Sequence, residues 1–385
     1  MTDRHRWDRC IHHRGADATA FIDEYFTDSE RRVLLIGGAG FDPRSLTVPK
    51  RLAASCGERV SGLFFREERP NADEGLREQA DCNDARIREL IPGVDIVFVD
   101  VFDIDNAPVG GRRATRELHE RMDLHSITDV VLDCSALSVG VMFPIARYCF
   151  EATRRLGPAM NFHLVVLDDP QTDSAIRATA CGKVAPLHAF SGGLNLDSNK
   201  EAARLWLPQL GTGRREFLNL IFQEIRPHAV CPIIPFPSRD PRWGDGLIEE
   251  HGDLFEAVSD PMTPTWNVDS RDIVYTHEKS PLDLYRSILR IDEARTRVFA
   301  QTGGSRIILS PLGSKAVGVG ILLAALERDF AVVSVETIEY QFEVGEERST
   351  DDADLVHLWL HGDAYNVNQE EQDGSHGTIE APKDT

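Results

Sequence analysis

The sequence predicts an α/β protein of two Rossmann-like units, each built on a mainly parallel sheet, ending in a disordered acidic C-terminal tail. Three observations predict it. Continuous apolar runs alternate with amphipathic, charge-mixed segments, the pattern of a parallel sheet covered on both faces. The same alternation returns in the second half of the chain. The length of 385 residues fits two domains.

In chain order, residues 17–26 read as a short helix. Residues 32–36 are a buried strand running straight into Gly37-Gly38-Ala39-Gly40. Strands follow at 60–65, 95–101, 129–133 and 161–167, separated by helices at 73–90, 113–122 and 139–156. In the second half, strands are expected at 229–235, 272–275, 305–309, 330–335 and 355–360, with helices at 282–302 and 316–327. Residues 199–225 read as connecting helices interrupted by Gly211-Thr212-Gly213. The expected division is an N-terminal helical extension over 1–30, a first Rossmann-like unit over 31–190, a helical connector over 191–226, a second unit over 227–366 and a disordered tail over 367–385.

An internal duplication is suggested by two recurrences. Asp42-Pro43-Arg44 and Asp240-Pro241-Arg242 each follow a strand. The stretches VVLDCSALSVGVMFPIA, from Val130, and IILSPLGSKAVGVGILLA, from Ile307, share a strand–turn–helix order.

Composition excludes several classes. Acidic residues number 63 against 42 basic ones, a formal charge of -21. That field opposes any extended nucleic-acid or anionic-membrane surface, and no run approaches the ~20 apolar residues of a membrane span. The N-terminus lacks the apolar core of a secretory signal. Seven widely spaced cysteines with no CxxC pair predict reduced thiols and a cytoplasmic setting. His357 and His361 form an HxxxH, but on the strand expected there they would stand ~13 Å apart. No structural metal is expected.

Chemistry is expected at sheet-edge turns. After the first strand, Gly37, Gly38 and Gly40 offer backbone N–H groups to an anion, with Asp42 and Arg44 placed for a ribose hydroxyl and a phosphate. The spacing is neither the dinucleotide fingerprint nor a Walker A loop. In the second half, Ser310, Gly313, Ser314 and Lys315 form a turn at a helix N-terminus, a phosphate or carboxylate seat. The matching first-half turn offers Asp133, Ser135 and Ser138, and its Cys134 is expected to be an inert buried thiol. His277 and Glu278 are acid–base candidates beside a helix start capped by Ser280. Trp206 is expected in the core.

The stretch from Thr302-Gly-Gly-Ser305 through Leu309-Ser-Pro-Leu-Gly-Ser-Lys315 resembles the ligand loops of CARF domains, Rossmann-like sensors of prokaryotic defence proteins. The likeness covers about residues 300–335, and here GGS precedes the strand and the Lys comes later. The Gly37–Arg44 loop is similar, more loosely, to SLOG-type domains. The resemblance implies a sensor or accessory component that binds a nucleotide or another small phosphorylated ligand. No effector nuclease motif is evident in the sequence, so the effector would be a separate partner; a protein partner or a homo-oligomer is expected. Two other readings stand beside it: an enzyme on a nucleotide or another phosphorylated metabolite, a hydrolase or transferase with His277, Glu278 or Asp133 as the acid–base group and Lys315 as electrostatic stabiliser, or a scaffold subunit of a larger assembly. The cofactor is left open, a nucleotide ligand being one option.

Overall fold

The computed structural model describes residues 5–194, 202–255, 266–342 and 354–365. The chain begins with an edge strand, β1 (Ile11–Arg14), and a helix, α1 (Ala16–Tyr25). The first half then runs β2 (Val33–Gly38), α2 (Thr47–Cys56), β3 (Val60–Glu68), α3 (Glu74–Leu90), β4 (Asp95–Asp100), α4 (Gly110–Arg121), β5 (Asp129–Asp133), α5 (Val139–Leu156) and β6 (Asn161–Asp168). A short helix, α6 (Pro170–Ala175), leads to β7 (Arg177–Pro186). The second half runs β8 (Ala203–Gln209), α7 (Arg215–Ile225), β9 (Ala229–Val230), β10 (Ile233–Pro235), α8 (Trp243–Phe255), β11 (Val274–Thr276), α9 (Pro281–Phe299), β12 (Ser305–Pro311), α10 (Lys315–Arg328) and β13 (Ala331–Gln341), and closes with β14 (Asp354–His361).

The fold is α/β with two mainly parallel sheets, as the alternation predicts. Every residue of β2, β5 and β6 is buried, because helices cover both faces. The five parallel strands of the first sheet lie in the order β4-β3-β2-β5-β6, and those of the second in the order β11-β10-β8-β12-β13. Numbered within each half, both read 3-2-1-4-5. The halves therefore repeat one architecture.

The sixth strand of each half crosses over. β7 follows β6 in the chain but pairs antiparallel with β13, while β14 follows β13 but pairs antiparallel with β6 and carries β1 on its outer side. The division at 31–190 and 227–366 is corrected accordingly, since each sheet is finished by a strand from the other half. Local periodicity cannot reveal such an exchange, because a strand's apolar pattern does not name its partner. One hydrophobic core runs through both halves, with Leu132, Phe143 and Phe162 from the first and Leu207, Ile288 and Leu322 from the second. Trp7 sits in it and ties the halves together. Its backbone N–H donates to Tyr285 Oη at 3.3 Å, and its indole donates to the Leu360 carbonyl at 3.1 Å.

Two further expectations are revised. The connector expected as helical contains β8, the central strand of the second sheet, with Trp206 fully buried in it. Pro208 is tolerated there because the ladder on one flank is broken: β9 pairs only with Leu205 and Trp206, and β10 with Gln209. The two Asp-Pro-Arg stretches are not equivalent, since one follows the first strand of its half and the other the second. The paired stretches from Val130 and Ile307 are equivalent; both are fourth strand, turn and helix. His357 lies on β14, as expected. No helix among the described residues is long and apolar enough to cross a membrane. The tail expected to be disordered over 367–385 lies outside the described residues.

Candidate functional site

In an open α/β sheet of order 3-2-1-4-5, the crevice opens at the carboxyl ends of strands 1 and 4, where the connections turn to opposite sides. Here those ends are β2 beside β5, and β8 beside β12. Glycine lets the turns meet. A Cβ on Gly38 would stand 3.0 Å from the Ala136 carbonyl, and one on Gly313 2.5 Å from the Leu210 carbonyl. Both crevices open into one cavity of about 560 Å³. Gly40, Asp42, Arg44 and Ser138 line it from the first half, and Gly313, Ser314 and Lys315 from the second. The two turns singled out in the sequence therefore share one chamber.

The floor is a chain of opposite charges. Arg44, 2% exposed, donates from Nη2 to Asp42 Oδ2 at 2.7 Å, from Nε to Asp42 Oδ1 at 2.9 Å, and from Nη1 to Asp173 Oδ1 at 2.8 Å. Asp42 also caps its own turn, accepting the Arg44 backbone N–H at 3.0 Å. Burial works against the Asp42 charge, but the Arg44 guanidinium outweighs it and holds the carboxyl below its ordinary range. The expected roles of Asp42 and Arg44 as free ribose and phosphate contacts are corrected: each is the other's partner. Lys315 Nζ extends the chain, lying 4.0 Å from Asp42 Oδ2 and donating to the Ser135 carbonyl. Burial, then the nearby Arg44 charge, push its pKa down.

Two helix N-termini face the cavity. At α5 the chain supplies its own anions. Glu67 Oε1 accepts the Ser138 N–H at 2.7 Å, and Glu336 lies so close to Gly140 that a Cβ there would collide with it. Arg69 clamps both carboxylates, at 3.0 Å from Glu67 and 3.1 Å from Glu336, and donates from Nε to the Thr337 carbonyl at 2.8 Å. Its guanidinium stacks over the Tyr340 ring, 4.8 Å from the centroid. Burial pushes the Glu336 carboxyl above its ordinary range despite Arg69. At α10 no carboxylate among the described residues takes this position. Ser314 caps the helix weakly, accepting the Val317 N–H at 3.4 Å. The N–H groups of Gly313, Ser314, Lys315 and Ala316 have no acceptor among the described residues. Arg214 also lines the cavity. Its guanidinium meets no carboxylate among the described residues and stands over the Phe217 ring, 4.9 Å from the centroid.

The other expected residues divide. Glu278 lines the cavity, and its neighbour His277 does not. His277 Nδ1 instead accepts the Lys279 backbone N–H at 3.1 Å. Gly37 is packed against the Phe64 ring and Gly38 against Ala136, so of these three glycines only Gly40 reaches the cavity. Ser310 is a core residue; its hydroxyl accepts from the Trp206 indole at 2.9 Å and donates to the Val333 carbonyl at 2.7 Å. Ser135 is fully buried, donating to Asp133 Oδ1 at 2.5 Å and accepting the Leu167 N–H at 2.9 Å. Asp133 lies behind the lining, and burial raises its pKa to about 6. Cys134 is buried, which pushes its thiol well above the ordinary value, away from nucleophilic use. Arg69, Glu67, Glu336, Asp173 and Arg214 went unrecognised in the sequence. Glu67 and Arg69 did carry a signal, two charges at the exit of a buried strand. Asp168 and Asp173 also follow a strand's carboxyl end, the default place for a site in this fold.

Fold and cavity together define a tandem doubly wound α/β protein with two facing crevices. No protein-family model and no curated protein matches the sequence. Among solved structures, a functionally unknown protein of Pseudomonas aeruginosa is similar at 8% identity over 82% of this chain and 95% of that one, with a TM-score of 0.22. That likeness is too slight to transfer fold or function.

Proposed function

We propose that the chain binds a nucleotide or a similar phosphorylated small molecule in the cavity between its halves. In this reading it acts as a sensor or accessory component of a prokaryotic defence or signalling system. One observation carries the binding reading. The unfilled N-terminus of α10, with Lys315 beside it, opens into a cavity of about 560 Å³ together with the crevice of the other half. That volume lies within the range of small-molecule sites, ~300–1,000 Å³. Free backbone amides, the positive helix end and a half-buried ammonium are an anion's natural partners. Arg214, stacked on Phe217 and without a carboxylate among the described residues, is a second cation for it. Arg44 is not, because Asp42 and Asp173 already occupy it. The sensor role rests on the resemblance over 300–335, and it assigns the output to a protein partner or a second copy of the chain.

A nucleotide panel read by melting temperature tests the reading. At least one nucleotide should raise the temperature while its nucleoside does not, since a ligand that binds only the folded state stabilises it by mass action. Lys315→Ala should remove most of the rise. A panel with no shift would sink the proposal. A shift that survives Lys315→Ala would move the phosphate away from α10.

A further inference from the structure

The same cavity has an acidic end, and the phosphate reading leaves it unused. Glu278 and Asp173 line it, and Asp168 stands behind them. Glu278 is 3% exposed and Asp168 4%. Each of the three carries a buried carboxylate oxygen with no hydrogen-bond partner among the described residues: Glu278 Oε2, Asp173 Oδ2 and Asp168 Oδ1. An unpaired carboxylate oxygen out of water is costly. The nearby cations do not relieve it. Arg44 spends its donors on Asp42 and on the other oxygen of Asp173, and Lys279 is paired with Asp354. Burial, then the charges of Asp173 and Glu278, raise Asp168 to about 7, and the more weakly felt Arg44 and Lys279 do not offset them.

The geometry points to a second subsite in this cavity, formed by Glu278 and Asp173 and backed by Asp168, that takes a cationic nitrogen group, ammonium or guanidinium, of the bound ligand. Glu278 carries the assignment beyond a mere acidic cluster, since it is nine-tenths buried, lines the cavity and has a carboxylate oxygen with no partner among the described residues. An organic cation fits better than a metal ion. No group of three or more His, Cys, Asp or Glu among the described residues is arranged to hold a metal. An N–H donor needs only one free oxygen at each contact. The inference deepens the phosphorylated-ligand reading and rests on it for the ligand's other end. The ligand would then be bipolar, its phosphate at α10 and its cationic nitrogen at Glu278.

The test is calorimetric titration of the full chain with three probes: agmatine, AMP and magnesium chloride. Agmatine should bind the native chain. Glu278→Gln should weaken that binding at least tenfold and leave AMP within about threefold. Glu278→Asp, which keeps the charge, should bind agmatine more tightly than Glu278→Gln does. Circular dichroism and the melting temperature of both variants separate lost binding from lost folding, and neutralising an unpaired buried carboxylate should not lower the melting temperature. AMP binding without agmatine binding overturns the cationic subsite and leaves the phosphate reading standing. Agmatine binding without AMP does the reverse. Magnesium binding that Glu278→Gln abolishes, with no agmatine binding, replaces the organic cation with a metal and also overturns the inference.

Discussion

The turns leading into α5 and α10 occupy the same place in the two halves, yet they are finished differently. Both follow the fourth strand of their half, and both point a helix N-terminus into the shared cavity. At α5, Glu67 and Glu336 sit on the helix end and Arg69 locks them there. At α10 the amides are unfilled, and a lysine takes the place of the carboxylates. A helix N-terminus attracts negative charge wherever it occurs. What separates the two is whether the protein has already supplied that charge. The repeated architecture thus brings two helix N-termini to the cavity and closes one with the protein's own side chains.

The largest expected effect comes from unlocking the closed seat. Arg69 is 9% exposed and bridges two carboxylates that otherwise face each other. Arg69→Met should cost about 3–5 kcal/mol, the usual penalty for removing one partner of a buried ionic group. Urea denaturation would measure it, and a loss below about 1 kcal/mol would mean that α5 does not depend on the clamp.

Next in size is a pH effect at the acidic end. Asp168 titrates at about 7 in the folded chain, against about 3.9 for an unfolded aspartate. Between those values the folded state holds a proton that the unfolded state has lost, so this group makes stability fall as pH rises from about 4 to 7 and level off above. Asp168→Asn should match the native chain near pH 4 and exceed its stability by about 2–4 kcal/mol above pH 7. Asp42 works the other way and in a lower window. Its depressed carboxyl stabilises the fold above about pH 4 and loses that contribution as pH falls through its folded value. A native–variant difference that does not change with pH would show that Asp168 is not protonated in the folded chain.

Much of this was legible in the sequence, and the part that was not has a physical reason. Continuous apolar runs marked nearly every parallel strand, and the matching stretches from Val130 and Ile307 marked the pair of helix ends that now face each other. β8 escaped because a short apolar run containing Pro208 carries no period of its own. The strand exchange escaped because pairing is a long-range property. Lys315 was recognisable as a cation at a helix start, and Arg44 as a cation at a turn. Only the fold tells them apart, by bringing Asp173 of α6 onto Arg44. Glu336 was the least visible. It lies mid-strand in β13, where β-bulges between Val335 and Glu339 disturb the register beside it.

The smallest effect gives the cleanest contrast between the two seats. Ser314 and Ser138 are equivalent N-cap residues, but only Ser314 uses its side chain as a cap. The Ser138 hydroxyl has no partner among the described residues, and Glu67 accepts that residue's N–H instead. Ser314→Ala should therefore cost about 1 kcal/mol, as an N-cap loss does, and weaken binding of any phosphate seated there. Ser138→Ala should change stability by less than about 0.5 kcal/mol, as substitutions do when they remove no cap, packing or pairing, and should leave binding unchanged. Equal losses at the two serines would mean that α5 relies on its hydroxyl after all and that Glu67 does not fill its N-terminus. A binding loss confined to Ser138→Ala would place the ligand at α5, displacing the carboxylates, and would exchange the open and closed seats.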